Sequence, residues 1–200
     1  LVNLLGPVKN IYSRGSKFSN TRQYMVEPKK GKKFEVTVPT SYMVNMEFQN
    51  QTLIQGFLSF DVQNHKRNHI ELYGTNGSIV VPDPNMFGGP VLTSKLLGSE
   101  WVSNSVERMH LGKTNIKNHS GRSNEANEQA NYRGIGLADM IDAIENNRKH
   151  RCNGDLALHV VDIIESTIIS SDKKNEISLR SSCERPELFE NIEIENLLKK

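Results

Sequence analysis

Tyr132 and Arg133, followed by Gly134 and Gly136, stand where a long polar segment gives way to an apolar repeat. A phenol beside a guanidinium at a loop-to-helix junction can grip a hydroxyl-rich or carboxylate ligand. The Arg fork supplies fixed donors, the Tyr a ring face and a hydroxyl, and the first amides of a helix carry partial positive charge. The opposing reading is structural, with Arg133 paired to a surface carboxylate and Tyr132 packed on a sheet edge. Asp61, His65 and His69 offer carboxylate and imidazole ligands close together in sequence. Gln63 to Asn68 reads as a polar turn, however, and Lys66 and Arg67 oppose a cation there. His159 falls among apolar residues and reads as a core histidine with satisfied nitrogens. Cys152 and Cys183 are too few for a disulfide framework, and no His stands at zinc-ligand spacing beside them. No Ser-His-Asp or Cys-His arrangement has a recognisable context, so no catalytic residue and no metal ligand is assigned.

The elements that position these residues are modest in number. The chain has 200 residues and a net charge of +2, which fits one domain of ordinary size and leaves no nucleic-acid footprint. Lys29, Lys30, Lys32 and Lys33 form the one basic cluster, and beside Pro28 they read as a solvated turn. No apolar run reaches the length of about eighteen residues that a membrane helix needs, no signal peptide opens the chain, and the isolated cysteines suit a reducing cytoplasm.

Period-two alternation dominates the first half. Val8 to Ser16, the Phe34-Val36-Val38 run, Tyr42 to Phe48 and the run from Leu53 to Val62 all read as strands. In the last of these Ile54, Leu58, Phe60 and Val62 share one face, and Leu53, Gln55, Phe57, Ser59 and Asp61 the other. Ser19 to Pro28 reads as an irregular connection. His69 to Val81 is a hairpin turning at Gly74-Thr75-Asn76-Gly77, with Asn76 and Gly77 free to take positive φ. Pro82-Asp83-Pro84-Asn85 then ends ladder pairing, and Gly88-Gly89-Pro90 requires sharp turns. Trp101 to Val106 predicts a strand that lays the only Trp on the sheet. Arg108 to Ala130 lacks periodicity and reads as an excursion over the sheet. Leu137, Met140, Ile141 and Ile144 then form an apolar stripe, with Asp139, Asp142 and Glu145 facing away. A second helix opens at Asn153 and buries Leu156, Val160, Ile163 and Ile164, flanked by Leu158 and Val161. Glu176 to Leu179 predicts an edge strand, and Glu187 to Lys200 a solvent-facing tail with helical character. Together these predict an α+β fold: an open, predominantly antiparallel sheet with helices packed on one face. Leu1 to Leu5, halted by Gly6-Pro7, reads as the end of a helix whose beginning lies in a longer polypeptide.

The ordered set ELYGTNGSIVVPDPNMFGGPV at 71–91, Trp101, YRGIGLADMIDAI at 132–144 and NGDLALHVVDIIES at 153–166 resembles the C-terminal domain of the Gfo/Idh/MocA oxidoreductases. The resemblance runs from Leu1 to about Pro186. It implies that residues 1–200 are a substrate and oligomerisation domain, and that an N-terminal Rossmann domain precedes Leu1. It also implies NAD or NADP as cofactor of the intact enzyme, with a sugar, cyclitol or related polyol as substrate. A catalytic Lys, and an Asp followed four residues later by His or Tyr, would all lie before Leu1. A pyrophosphate cradle needs a glycine-rich strand-to-helix turn, and Gly88-Gly89-Pro90 opens no helix. These 200 residues alone are therefore expected to bind no nicotinamide and to be inactive. Leu53 and Phe57, with their cross-strand neighbours, form a face that suits a homo-oligomer, as the family's sheet-to-sheet dimers imply. Tyr132 and Arg133 are the substrate-binding candidates. The rival reading is a free-standing protein-interaction module that uses the same open sheet face.

Overall fold

The computed structural model describes residues 1–117 and 128–199. Along it run α1 (Val2–Leu5), β1 (Val8–Ser16), β2 (Thr21–Gln23), β3 (Lys33–Glu35), β4 (Ser41–Phe48), β5 (Leu53–Ser59), β6 (Ile70–Gly74), β7 (Gly77–Val81), β8 (Val91–Lys95) and β9 (Val102–Asn104). These are followed by β10 (Ile116–Lys117), β11 (Glu128–Gln129), α2 (Ile135–Glu145), α3 (Gly154–Lys173), β12 (Ile177–Ser178) and α4 (Asn191–Lys199). The chain divides into two units, Leu1–His65 with Cys152–Glu187, and Lys66–Arg151 with Leu188–Lys200. The excursion read over residues 108–130 falls partly outside the described residues.

The first unit is an antiparallel sheet in the order β12-β1-β4-β5 with α3 laid on one face. Its registers align Ile11 with Met46 and Ile54, and Ser13 with Val44 and Gly56, so these residues share a face. Val8, Ile11, Val44 and Phe48 form the buried core, joined by Leu5, Tyr42, Met46, Ile54, Ile163 and Leu179. Asn153 caps α3 as its spacing predicts, accepting a hydrogen bond from the Leu156 amide at 3.1 Å.

The inward face of α3 differs from the apolar face that was expected. His159, Ser166, Thr167 and Ser170 are buried, whereas Leu158, Val160, Val161 and Ile164 are exposed and only Ile163 reaches the core. The reason is the edge of β1. Strand β12 pairs only with Asn10 and Ile11, and beyond that short reach the outer amides of β1 need other partners. Helix α3 supplies them: Ser170 Oγ accepts from Ser13 N at 2.9 Å, Ser171 Oγ from Gly15 N at 2.7 Å, and His159 Nε2 from Val8 N at 3.0 Å. A buried amide without a partner costs about 1–3 kcal/mol, which favours hydroxyls over aliphatic side chains here.

Two strand readings shorten. The Phe34-Val36-Val38 run pairs only over Lys33–Glu35, with β2, inside the segment expected to be irregular. The Leu53–Val62 run ends at Ser59 because Asp61 turns inward to accept from Arg22 Nη2 at 2.5 Å, Thr40 Oγ1 at 2.5 Å and Ser41 Oγ at 2.7 Å. Leu58, Phe60 and Val62 are left exposed.

The second unit carries the meander β6-β7-β8-β9. What was read as one sheet is therefore two four-stranded sheets, one in each unit, and the α+β class with open antiparallel sheets stands. At the β6–β7 turn only Gly77 takes a positive φ, 147°. A Cβ there would stand 2.1 Å from the Ser94 carbonyl oxygen, so the close β7–β8 approach itself demands glycine. Trp101 does not lie on the sheet as expected. It precedes β9 and is 47% exposed.

The larger correction concerns α2 and α4. Asp139 is 2% exposed and Ala143 equally buried, whereas Leu137, Met140, Ile141 and Ile144 face outward. The helix is turned by charge. Asp139 Oδ1 accepts from Arg148 Nη2 at 2.8 Å and Arg151 Nη1 at 2.7 Å, and Oδ2 accepts from the Arg151 backbone amide at 2.8 Å. Arg151 then forks onto Glu193 of α4 at 2.8 and 2.7 Å, and its guanidinium carbon stands over the Phe189 ring, 3.9 Å from the ring centroid. The expected solvent-facing tail is thus tied down, and Ile194 and Leu197 of α4 are buried.

Candidate functional site

In the second unit the proline-braced loop after β7 meets the segment leading into α2. The backbone of Phe87 bridges that of Ala130, and the Phe87 and Tyr132 rings meet edge-on, their centroids 5.8 Å apart at 72°. Gly88 and Gly89, at φ 80° and 92°, give the sharp turns that bring the loop there. Arg133 Nη2 donates to the Asn85 carbonyl at 2.7 Å and to its Oδ1 at 3.3 Å. Tyr132 OH donates to the Lys113 carbonyl at 2.8 Å. Asn115 and Asn131 copy a strand pair: Asn115 Nδ2 donates to the Asn131 carbonyl at 3.0 Å, and the Asn131 amide donates to Asn115 Oδ1 at 2.8 Å.

Beside this junction lies an open cleft of about 460 Å³, lined by Asn115, Asn131, Tyr132, Gly134, Ile135, Ala138, Leu197 and Leu198. It has an amide and phenol rim over an apolar floor shared by α2 and α4, and its volume lies within the range of small-molecule sites. Among the described lining residues there is no carboxylate, imidazole, thiol or amine, so the cleft can hold a neutral polar ligand but offers no general base.

Tyr132 thus lines the cleft, while Arg133 is turned to the Asn85 loop. The surface-carboxylate partner weighed for Arg133 is replaced by a backbone carbonyl. Asn115, Leu197 and Leu198 were missed by sequence reasoning. Asn115 sits in the unpatterned stretch, and the α4 leucines were read as tail, so no local signal marks them. Asp61, His65 and His69 do not form a metal site: Asp61 is spent on Arg22, Thr40 and Ser41, and His69 Nε2 lies 3.9 Å from Asp83. Among the described residues, no group of three or more His, Cys, Asp or Glu could hold a metal ion.

His159 is satisfied, as its apolar setting predicts. With Nε2 accepting from Val8, the proton sits on Nδ1, which faces Ser181 Oγ at 3.0 Å, and Ser181 donates to Asp162 Oδ2 at 2.7 Å. Burial pushes the imidazole pKa down, against the pull of Asp162. The Asp162 carboxyl feels burial the other way. Hydrogen bonds from Ser181 and Arg180 outweigh it and hold the group below the usual carboxylate range.

No family model matches the chain, and no curated protein matches it. Solved structures do. Levoglucosan dehydrogenase in complex with NADH and levoglucosan is 16% identical with a TM-score of 0.64, over 89% of this chain and 46% of that one. An NAD binding oxidoreductase from Klebsiella pneumoniae is 12% identical with a TM-score of 0.64, over 90% and 47%. An oxidoreductase from Agrobacterium radiobacter, in complex with NAD+, L-tartaric acid and magnesium, is 13% identical with a TM-score of 0.59, over 88% and 45%. The fold is thus one found within NAD-binding oxidoreductases, and the chain spans less than half the length of these structures. Among the described residues, no helix is long and apolar enough to cross a membrane.

Proposed function

We propose that this chain is the substrate-side and assembly domain of a Gfo/Idh/MocA-type oxidoreductase. The intact enzyme would use NAD or NADP in the cytoplasm to oxidise or reduce a sugar, cyclitol or related polyol. The observation that carries the reading is the fold shared with NADH-bound levoglucosan dehydrogenase over 89% of the chain. The ordered motifs at 71–91, 132–144 and 153–166 add to it. In this reading the Tyr132 cleft borders the substrate, with the Asn115 and Asn131 amides and the Tyr132 ring facing its hydroxyls. Arg133 acts by holding the Asn85 loop against the cleft's edge. The hydride acceptor and the proton-transferring groups belong to a dinucleotide-binding half. The Leu53-Phe57 face, which also presents Met43 through the Met43–Phe57 pairing, serves as the oligomer contact.

Calorimetric titration of the 200 residues with NAD and NADP tests the division of labour, and the expected result is no binding in the micromolar range. Light scattering is expected to show a dimer or larger species that Phe57→Glu dissociates. A monomer at high micromolar concentration would remove the assembly role. The second reading, a free-standing interaction module, draws on the same exposed face. It predicts a reading frame that starts at Leu1, whereas the favoured reading predicts a glycine-rich dinucleotide motif in frame upstream.

A further inference from the structure

The hydrogen-bond polarity of the cleft's rim is set by backbone groups. Asn115 Nδ2 donates to the Asn131 carbonyl at 3.0 Å and Asn115 Oδ1 accepts from the Asn131 amide at 2.8 Å, so its partners dictate which end of that side chain is the nitrogen. Asn131 Oδ1 accepts from the Arg133 amide at 3.3 Å, which leaves Nδ2, a donor, as the other end of Asn131. Tyr132 is fixed in the same way. Its hydroxyl stands 2.8 Å from the Lys113 carbonyl, and a carbonyl only accepts, so the one phenolic proton is committed there. That carbonyl follows a turn in which the Met109 carbonyl takes the amides of Gly112 at 2.9 Å and Lys113 at 3.1 Å. The Phe87 ring, edge-on with centroids 5.8 Å apart, braces the phenol from its other side.

We propose that Tyr132 Oη is an acceptor-only contact that selects a ligand hydroxyl able to donate, so that the cleft takes an uncharged polyol and turns away a sugar acid. The inference rests on the function proposed above and deepens it. With its proton committed, Tyr132 offers a ligand only lone pairs, whereas Asn131 Nδ2 offers only hydrogens. A hydroxyl both donates and accepts, so neighbouring hydroxyls of a polyol satisfy both residues. A carboxylate presents acceptors alone. Against Tyr132 it sets lone pair on lone pair, unless the phenol turns its proton inward and gives up the Lys113 bond, which by itself weakens binding about two- to tenfold. The rest of the rim does not offset that loss. Among the described lining residues none carries a positive charge. The start of α2, a place where anions gather, already has most of its amides engaged: Ile135 N donates to the Tyr132 carbonyl at 2.9 Å, and Leu137 N and Ala138 N donate to the Gly134 carbonyl at 3.0 and 3.1 Å. Arg133 is turned to Asn85.

The test uses the product of the whole reading frame that encodes this chain, isotopically labelled at asparagine nitrogen, and follows the side-chain amide signals of Asn115 and Asn131 by NMR. The probes are methyl glucoside and methyl glucuronide, which differ only in a hydroxymethyl or a carboxylate on the same ring, with myo-inositol as a second neutral polyol. The neutral probes are expected to move both signals, and the glucoside to bind at least about tenfold more tightly than the glucuronide. Tyr132→Phe keeps the ring against Phe87 and removes the oxygen. It should weaken the glucoside about fivefold and the glucuronide not at all, while the asparagine signals of the unliganded variant stay where they are in the wild type. The wild-type comparison decides even where the variant disturbs the rim. A glucuronide that binds at these asparagines as tightly as the glucoside overturns the inference and leaves the oxidoreductase reading standing. So does a Tyr132→Phe variant with an intact rim and an unchanged preference. If no probe moves either signal, the inference falls together with the cleft's part in the proposed function.

Discussion

Asp139 takes two bonds from one arginine: the backbone amide of Arg151 on Oδ2 at 2.8 Å and its Nη1 on Oδ1 at 2.7 Å. The carboxylate thereby closes a loop from α2 to the start of the segment leading into α3, while the same guanidinium reaches on to Glu193. Removing the acid leaves a hole, with Arg151 held by Glu193 and Arg148 by Asp142. Asp139→Ala is expected to cost about 2–3 kcal/mol in urea unfolding, less than loss of one partner of an isolated buried pair because each arginine keeps a second carboxylate, and to lower the melting temperature by roughly 5–10 °C. Burial pushes the Asp139 carboxyl up, but hydrogen bonds from Arg151 and Arg148 outweigh it and hold the group below 3.8. Its contribution is present above that value and fades as pH falls through the lower, folded one. A loss under 1 kcal/mol would show that the network does not hold α2.

His159 imposes a second pH dependence, nearer neutrality. In the folded chain its Nε2 accepts from Val8, and burial keeps it neutral below the ordinary 6.5. The unfolded chain takes up a proton near 6.5. The native advantage is therefore complete above that pH and declines as pH falls toward the folded value. Urea melts of wild type and His159→Gln at pH 7.5 and 5.5 should converge at the lower pH. Parallel losses in the two proteins would clear His159 of the effect.

Gly77 tests the second sheet. Its φ of 147° and the 2.1 Å approach of a virtual Cβ to the Ser94 oxygen leave an alanine nowhere to go without separating β7 from β8. Gly77→Ala is expected to cost at least 1–3 kcal/mol of strain. Gly134→Ala is the matched control: its Cβ meets nothing within 4 Å and its φ is −70°, so it should be neutral or stabilising by about 0.4–1 kcal/mol. Equal melting temperatures for the two variants would refute the account of the turn.

Arg133→Ala separates a loop latch from a structural pillar. The side chain is exposed and gives up a hydrogen bond worth about 0.5–1.5 kcal/mol, so the global melt should hardly move. Hydrogen exchange over residues 82–90 should quicken once the Asn85 carbonyl is released. In the oxidoreductase proposed above, kcat/KM is expected to drop about tenfold, equivalent to about 1.4 kcal/mol. Unchanged exchange together with unchanged kinetics would detach Arg133 from the site.

How far the sequence could be read follows from how local each signal is. The β6–β7 hairpin, the Asn153 cap and the end of α1 at Gly6 are set by residues within a few positions of one another, and all three stand where they were expected. The orientation of α2 was not legible. Periodicity marks two faces of a helix, but which one is buried depended on Arg148 and Arg151, which lie past its end. The inward side of α3 misled for a related reason: its hydroxyls answer amides of β1, more than 150 positions away in the chain, where apolar residues look the safer burial. Tyr132 and Arg133 could be singled out as a loop-to-helix junction, yet their partners Lys113 and Asn85 have no pattern that announces them.

Each of the two units is assembled from two stretches of the chain. The chain leaves the first at His65, returns at Cys152 and leaves again after Glu187 to add α4 to the second. During synthesis, then, the Tyr132 cleft lacks its Leu197 and Leu198 wall, and Arg151 lacks Glu193, until α4 has left the ribosome. Cutting the chain between Pro186 and Asn191 takes less than a tenth of these 200 residues but leaves the whole central segment without the piece that closes it. Quality control should meet a chain cut there as it meets one cut inside the central segment.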